Sequence, residues 1–268
     1  MVKNQIVSVS PINNAGDVLQ PQRTDWHDMP DVIVNAALKD AANHPDYWMA
    51  KNGDPDAAIR LVSDMMTDDS VRKVIQLAGD RQPILVSVHA EEAVSSNFIP
   101  LAMSVFLSEK TGLEFETSIV QSQKVGRTSA PDGFYRIAVT PTFFGEFPRG
   151  RTAIIMDDTL TQGGTLASLK GHIESQGGLV IGALALTGKQ YSAKIAISAE
   201  TLNKLRGSYG ALESWIVGHL GYGFDRFTES EARYLVKHDD AESVRNRILA
   251  AGSERINGGD RGLPEATP

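Results

Sequence analysis

The spacing of apolar residues changes character twice along the chain, near Pro83 and again after about residue 190. The first 30 or so residues are polar and broken by Pro11, Pro21 and Pro30, and read as an irregular lead-in. Residues 31–42 then carry Val32, Ala36 and Leu38 at helical spacing, and 46–51, 55–66 and 70–77 predict further short helices. Pro55 suits a first helical turn, where its missing N–H is not needed. Residues 1–82 are therefore expected to form a mainly helical extension, or hood.

From Pro83 the pattern is mixed. The run Ile84-Leu85-Val86-Ser87-Val88 predicts a buried strand. A helix to about residue 110 follows, capped by Ser96 or Asn97, with Phe98, Leu101, Ala102, Val105 and Phe106 on its apolar face. Residues 116–120, 135–139, 151–156 and 179–186 predict four more strands, the one at 135–139 more exposed. A helix starting near Gly163 has Leu166, Leu169 and Ile173 on one face. Strands alternating with helices over residues 83–190 imply an α/β core with a mostly parallel sheet and right-handed crossovers. Residues 191–251 turn helical again (199–205, 212–220, 229–236 and 241–251) and are expected to pack on the core. The tail, 252–268, is rich in Gly, Pro and charge and is expected to be disordered.

Composition narrows the function classes. With 26 Lys and Arg against 33 Asp and Glu, the net charge is -7, which makes the chain a poor general nucleic-acid binder. There is no cysteine, so disulfides, thiolate metal sites and cysteine nucleophiles are excluded. The six histidines show no close metal-ligand pairing, so no zinc is expected. Apolar runs such as 181–186 are too short for a membrane span, and the N-terminus lacks the apolar core of a signal peptide. These features lead us to expect a cytoplasmic protein with no membrane partner.

The segment richest in chemistry is Ile154-Ile155-Met156-Asp157-Asp158-Thr159-Leu160-Thr161-Gln162-Gly163-Gly164-Thr165. An apolar strand ends in two acids, a loop with glycines and threonines follows, and a helix begins. Ligand sites in open α/β sheets form at such strand ends. Helix N-termini offer free N–H groups and the positive end of a dipole to phosphate. Glycines permit close backbone approach, and threonine hydroxyls add donors. The two carboxylates are placed to accept hydrogen bonds from vicinal sugar hydroxyls. An ordinary capped strand-to-helix turn explains neither both acids nor both glycines. A haloacid-dehalogenase-like Asp-x-Asp-Gly-Thr alignment on Thr159 fails, because Ile155 takes the place of the first acid. A Walker A loop fails because Gln190 follows Gly188-Lys189.

The pattern acid-Asp-x-x-Thr-x-Gly-x-Thr after an apolar strand resembles the phosphoribosyl pyrophosphate loop of type I phosphoribosyltransferases, with Gln162 a departure at a variable position. The resemblance covers roughly residues 83–190 and is strong only over 154–165. It implies that Asp157 and Asp158 hold the ribose hydroxyls and that Thr161, Gln162, Gly163, Gly164 and Thr165, next to Thr159, cradle the 5′-phosphate. It implies a second loop at 87–93, with Ala90 and Glu91 against pyrophosphate. Here Glu91 and Glu92 stand where the family often has a basic residue and glycine, so Mg²⁺ would have to bridge them or they would have to point away. It also implies pyrophosphate contacts from Lys124 and Arg127, followed by a flexible hairpin cover over 128–150. Tyr191, Trp215, Tyr222 and Phe224 are candidates for stacking on an acceptor, with core burial as the ordinary alternative for each.

The activity so implied is transfer of the phosphoribosyl group of phosphoribosyl pyrophosphate to a nitrogen acceptor such as a nucleobase. The resemblance further implies release of pyrophosphate, Mg²⁺ carried in with the substrate, and a homodimer. A non-catalytic sensor of phosphoribosyl pyrophosphate or a nucleotide, and a transferase acting on a macromolecule, remain open as alternatives.

Overall fold

The computed structural model describes residues 22–89, 97–122, 133–238 and 240–258. Among these residues the main sheet has five strands in the order β1-β7-β6-β2-β3. They are β1 (Ile33–Ala37), β2 (Ile84–Ser87), β3 (Phe115–Glu116), β6 (Thr152–Leu160) and β7 (Leu179–Gly188), and every pairing between them is parallel. A two-stranded antiparallel ribbon pairs β4 (Val120–Gln121) with β5 (Phe143–Phe144). This is the expected fold class: a mostly parallel α/β sheet flanked by helices.

The central strand β6 shows why its sequence reads as a continuous apolar run. Ala153 and Ile155 pack on one face of the sheet with Leu166, Leu169 and Ile173 of α7 (Gly164–Ser175). Ile154 and Met156 pack on the other, with Leu61 and Val62 of α3 (Pro55–Met65), Val74 of α4 (Asp68–Ala78), and Met103 and Leu107 of α5 (Ile99–Thr111). A strand buried on both faces cannot alternate apolar with polar. Next to it, β7 carries an irregularity where Val180 pairs with Ala153 and Gly182 with Ile154. Gly182 there meets Leu77 of α4, whose Cδ2 would lie 2.3 Å from an added Cβ.

A third core lies outside the sheet. It gathers Phe134 and Ile137 of α6 (Gly133–Ala138), Leu205, Tyr209 and Ile216 of α8 (Ala199–Leu220), Leu235 of α9 (Glu229–Leu235), and Val244 and Ile248 of α10 (Ala241–Gly258). The two helices expected at 199–205 and 212–220 are one element with non-helical backbone angles at Tyr209.

Four expectations are corrected. Residues 31–42 are a strand and then a short helix, α1 (Leu38–Ala42): the β-branched Ile33 and Val34 extend the sheet against β7 instead of starting a helix. Residues 135–139 are not a strand, because Phe134 and Ile137, three apart, bury one face of α6 in the third core. The cover over 128–150 is accordingly no hairpin within its described part, which holds α6 and the edge strand β5. Residues 252–258, expected to belong to the tail, instead continue α10 to Gly258.

The described N-terminal segment crosses α7 at close range. At Gly171 an added Cβ would lie 2.2 Å from the Gln22 carbonyl oxygen. In a free helix Gly→Ala gains up to about 1 kcal/mol. Here the obstacle is backbone, and we expect Gly171→Ala to destabilise the protein by about 1–3 kcal/mol, as overpacking does. A melting temperature equal to or above that of the wild type would mean that the segment does not dock there.

Candidate functional site

β6 runs four residues beyond the expected strand end at Met156. Asp157 and Thr159 are still paired, with Ala185 and Thr187. The acids therefore stand on the ladder itself, which fixes their backbones more tightly than a loop would. The Thr187 hydroxyl donates to the Asp158 carbonyl at 3.2 Å, and the Asp158 amide donates to Asp157 Oδ1 at 2.9 Å.

The two acids have different partners. Asp158 forms an ion pair with Lys51 of α2 (Tyr47–Lys51), and Asn97 Nδ2 donates to its Oδ2 at 3.0 Å. Burial alone would raise the Asp158 carboxyl, but the Lys51 charge and the donated hydrogen bonds bring it below the usual carboxylate range. Lys51 shifts the matching way: burial opposes its charge, and Asp158 more than restores it. For Asp157, burial and then the neighbouring Asp158 charge push the carboxyl well above the usual range. The pair thus carries one ionised carboxylate and one carboxyl that retains its proton more readily.

Thr161 and Gln162 follow the strand. Gly163 then takes φ 81° and ψ 1°, a left-handed conformation suited to glycine, and α7 begins at Gly164 without a side-chain cap. Gly163 is also crowded, since an added Cβ would lie 3.3 Å from Ile195. The loop is braced from the C-terminal segment: Thr228 Oγ1 donates to the Gln162 carbonyl at 2.6 Å. Thr228 caps α9 in a box with Glu231, and Glu231 holds Arg23 in a bidentate pair at 2.6 and 2.9 Å.

Beside the loop opens a cavity of about 650 Å³. Thr161 and Gln162 line one side of it. Arg136 of α6, Lys189 after β7, and Arg233 and Lys237 at the end of α9 bring four cations to its walls, and among the described residues no acid lines it. Tyr191 also lines it and is 60% exposed, whereas Tyr222 and Phe224 are buried in the third core and Trp215 stacks on His219.

Of the predicted site residues, the structure brings Asp157, Asp158, Thr159, Thr161, Gln162, Gly163, Gly164 and Thr165 together at one strand-to-helix junction. Ala90, Glu91, Lys124 and Arg127 lie outside the described residues. His89 Nδ1 sits 3.3 Å from the Ser87 carbonyl, a local contact at a strand end. Sequence reasoning missed Lys51, Arg136, Lys189, Arg233 and Lys237 as site residues. It assigned Asn97 as a helix cap, which its Oδ1 is, accepting from the Ile99 amide at 3.2 Å. No three His, Asp or Glu residues converge as a metal cage among the described residues. No helix among them is long and apolar enough to cross a membrane.

No family model matches the chain. Protein TraN of Escherichia coli is 41% identical over 237 residues, which is 88% of this chain and 53% of TraN. An uncharacterized protein of Haemophilus influenzae is 48% identical over 170 residues, 63% of this chain and 38% of that protein. The chain thus spans about half the length of these relatives or less. Among solved structures, an adenine phosphoribosyltransferase from Thermoanaerobacter pseudethanolicus matches 47% of this chain and 69% of its own, at 17% identity and a TM-score of 0.30. An orotate phosphoribosyltransferase from Aeropyrum pernix matches 50% of this chain and 67% of its own, at 17% identity and a TM-score of 0.30.

Proposed function

We propose that the chain binds phosphoribosyl pyrophosphate at the β6–α7 junction and transfers its phosphoribosyl group to a nitrogen acceptor, releasing pyrophosphate. The observation that carries this reading is the junction itself: a half-buried Asp157 beside a buried Asp158, a left-handed glycine and an uncapped twelve-residue helix in one contiguous stretch. In this assignment the acid pair takes the ribose hydroxyls. The amides at the start of α7, with Thr161 and Thr165, take the 5′-phosphate. Breaking the bond at C1 gives a transition state with oxocarbenium character, so the protein's work is positioning and electrostatic stabilisation. Mg²⁺ would be carried in with the pyrophosphate oxygens, whose charge it offsets.

A second reading, a non-catalytic sensor of the same ligand, is favoured by one contact. Lys51 and Asn97 already occupy Asp158, so ribose hydroxyls must share or displace them.

Pyrophosphate release, measured with phosphoribosyl pyrophosphate, Mg²⁺ and a panel of nucleobases and amines, separates the two. The enzyme reading expects acceptor-dependent release that Asp157→Asn reduces by about tenfold or more, the scale of one lost site interaction. Tight ligand binding with no release for any acceptor would leave the sensor.

A further inference from the structure

The cavity beside the loop has a charge that a neutral acceptor does not call for. Arg136, Lys189, Arg233 and Lys237 reach its walls from separate turns of the chain, and among the described residues no acid lines it. In a chain of net charge -7 this is a local reversal of sign. Lys189, Arg233 and Lys237 form no ion pair with any described residue, although ion pairs stud the rest of the surface.

Two further features shape what fits. Gln162 Oε1 is buried and meets no hydrogen-bond partner among the described residues, so it asks for an N–H or O–H from a ligand. Tyr191, with Lys189 5.6 Å from its ring centroid, offers an aromatic face at the cavity wall.

We propose that this cavity binds a small molecule bearing two or more negative charges, as carboxylate or phosphate, together with an N–H or O–H donor. Resting on the transferase reading above, that molecule is the acceptor: an acidic nitrogen compound, not a neutral nucleobase. Guanidinium groups bind carboxylate and phosphate alike through paired N–H donors, so the chemistry of the walls admits both.

The test uses the whole chain and titrates it at low ionic strength with citrate and, separately, with inorganic pyrophosphate, the two arms distinguishing carboxylate from phosphate. The variant is Arg233→Gln/Lys237→Gln, two exposed positions whose replacement leaves the cores untouched. The proposal expects at least one anion to bind and the variant to bind it about tenfold or more weakly, each tenfold being about 1.4 kcal/mol. It expects phosphoribosyl pyrophosphate affinity to be unchanged in the same variant. Absence of binding by both anions, or equal binding by variant and wild type, overturns it. If the variant loses phosphoribosyl pyrophosphate in proportion, the cavity belongs to that ligand; the second-ligand proposal then fails while the transferase reading stands. If anions bind through Arg233 and Lys237 but phosphoribosyl pyrophosphate does not bind the wild type, the anion site stands and the transferase reading fails.

Discussion

Arg23→Met lowers the unfolding free energy by about 3–5 kcal/mol, the cost of leaving one member of a buried ion pair alone. Both side chains of the Arg23–Glu231 pair are 1% exposed. Burial opposes the guanidinium charge, but Glu231 and the Tyr222 ring 4.5 Å away hold it above its ordinary range. Arg23 therefore pins the described N-terminal segment to α9. Urea denaturation at neutral pH measures the loss. Arg23→Met/Glu231→Leu recovers part of it, because no charge is then buried alone, but not the helix cap, worth about 1 kcal/mol. The effect also reaches the loop, since Glu231 boxes Thr228, and Thr228 holds the Gln162 carbonyl. A single variant as stable as the wild type would show that the clamp is not formed.

Asp157→Asn and Asp158→Asn change stability at pH 7 in opposite directions. The Asp158 carboxyl is held below the usual range, so it contributes stability above its unfolded pKa that is lost as pH falls through the folded value. Its replacement strands Lys51, whose side chain is only 16% exposed, and we expect a loss of about 3 kcal/mol. The Asp157 carboxyl is raised, so its favourable contribution is present at low pH and is lost as pH rises through the folded value. At pH 7 asparagine removes that cost, and Asp157→Asn melts at or above the wild-type temperature. Thermal melts of both variants from pH 4 to pH 8 decide it. Equal destabilisation by the two substitutions would contradict the division of roles between the acids.

The junction was legible because its information is contiguous. Twelve residues hold the strand, the acids, the glycines and the helix start, and local backbone rules suffice to read them. Lys51 was not legible, because nothing within α2 signals that its ammonium reaches a carboxylate across the fold. The same holds for the cavity cations. Arg233 and Lys237 read as solvated surface, and only the folding of α9 beside the loop brings them, still exposed, to the cavity wall. Thr228, 66 residues from the Gln162 carbonyl it braces, belongs with them. The strand β1 and the helix α6 failed for the opposite reason. Ile33 and Val34 favour a strand, while the Ala-rich stretch after them suggested one long helix. Residues 135–139 alternate like a strand, yet the burial of Phe134 and Ile137 decides for helix. Short segments follow their tertiary contacts.

The measurement that bears most directly on the β6–α7 junction is a calorimetric titration of the folded protein with phosphoribosyl pyrophosphate and Mg²⁺. Wild type, Thr161→Val and Asp157→Asn are compared, with folding of each checked by its melting curve. The proposed site predicts saturable one-to-one binding that each substitution weakens by about tenfold, the scale of a lost charge-assisted or buried hydrogen bond. Binding of equal strength in all three proteins, or no binding to a folded wild type, would contradict it.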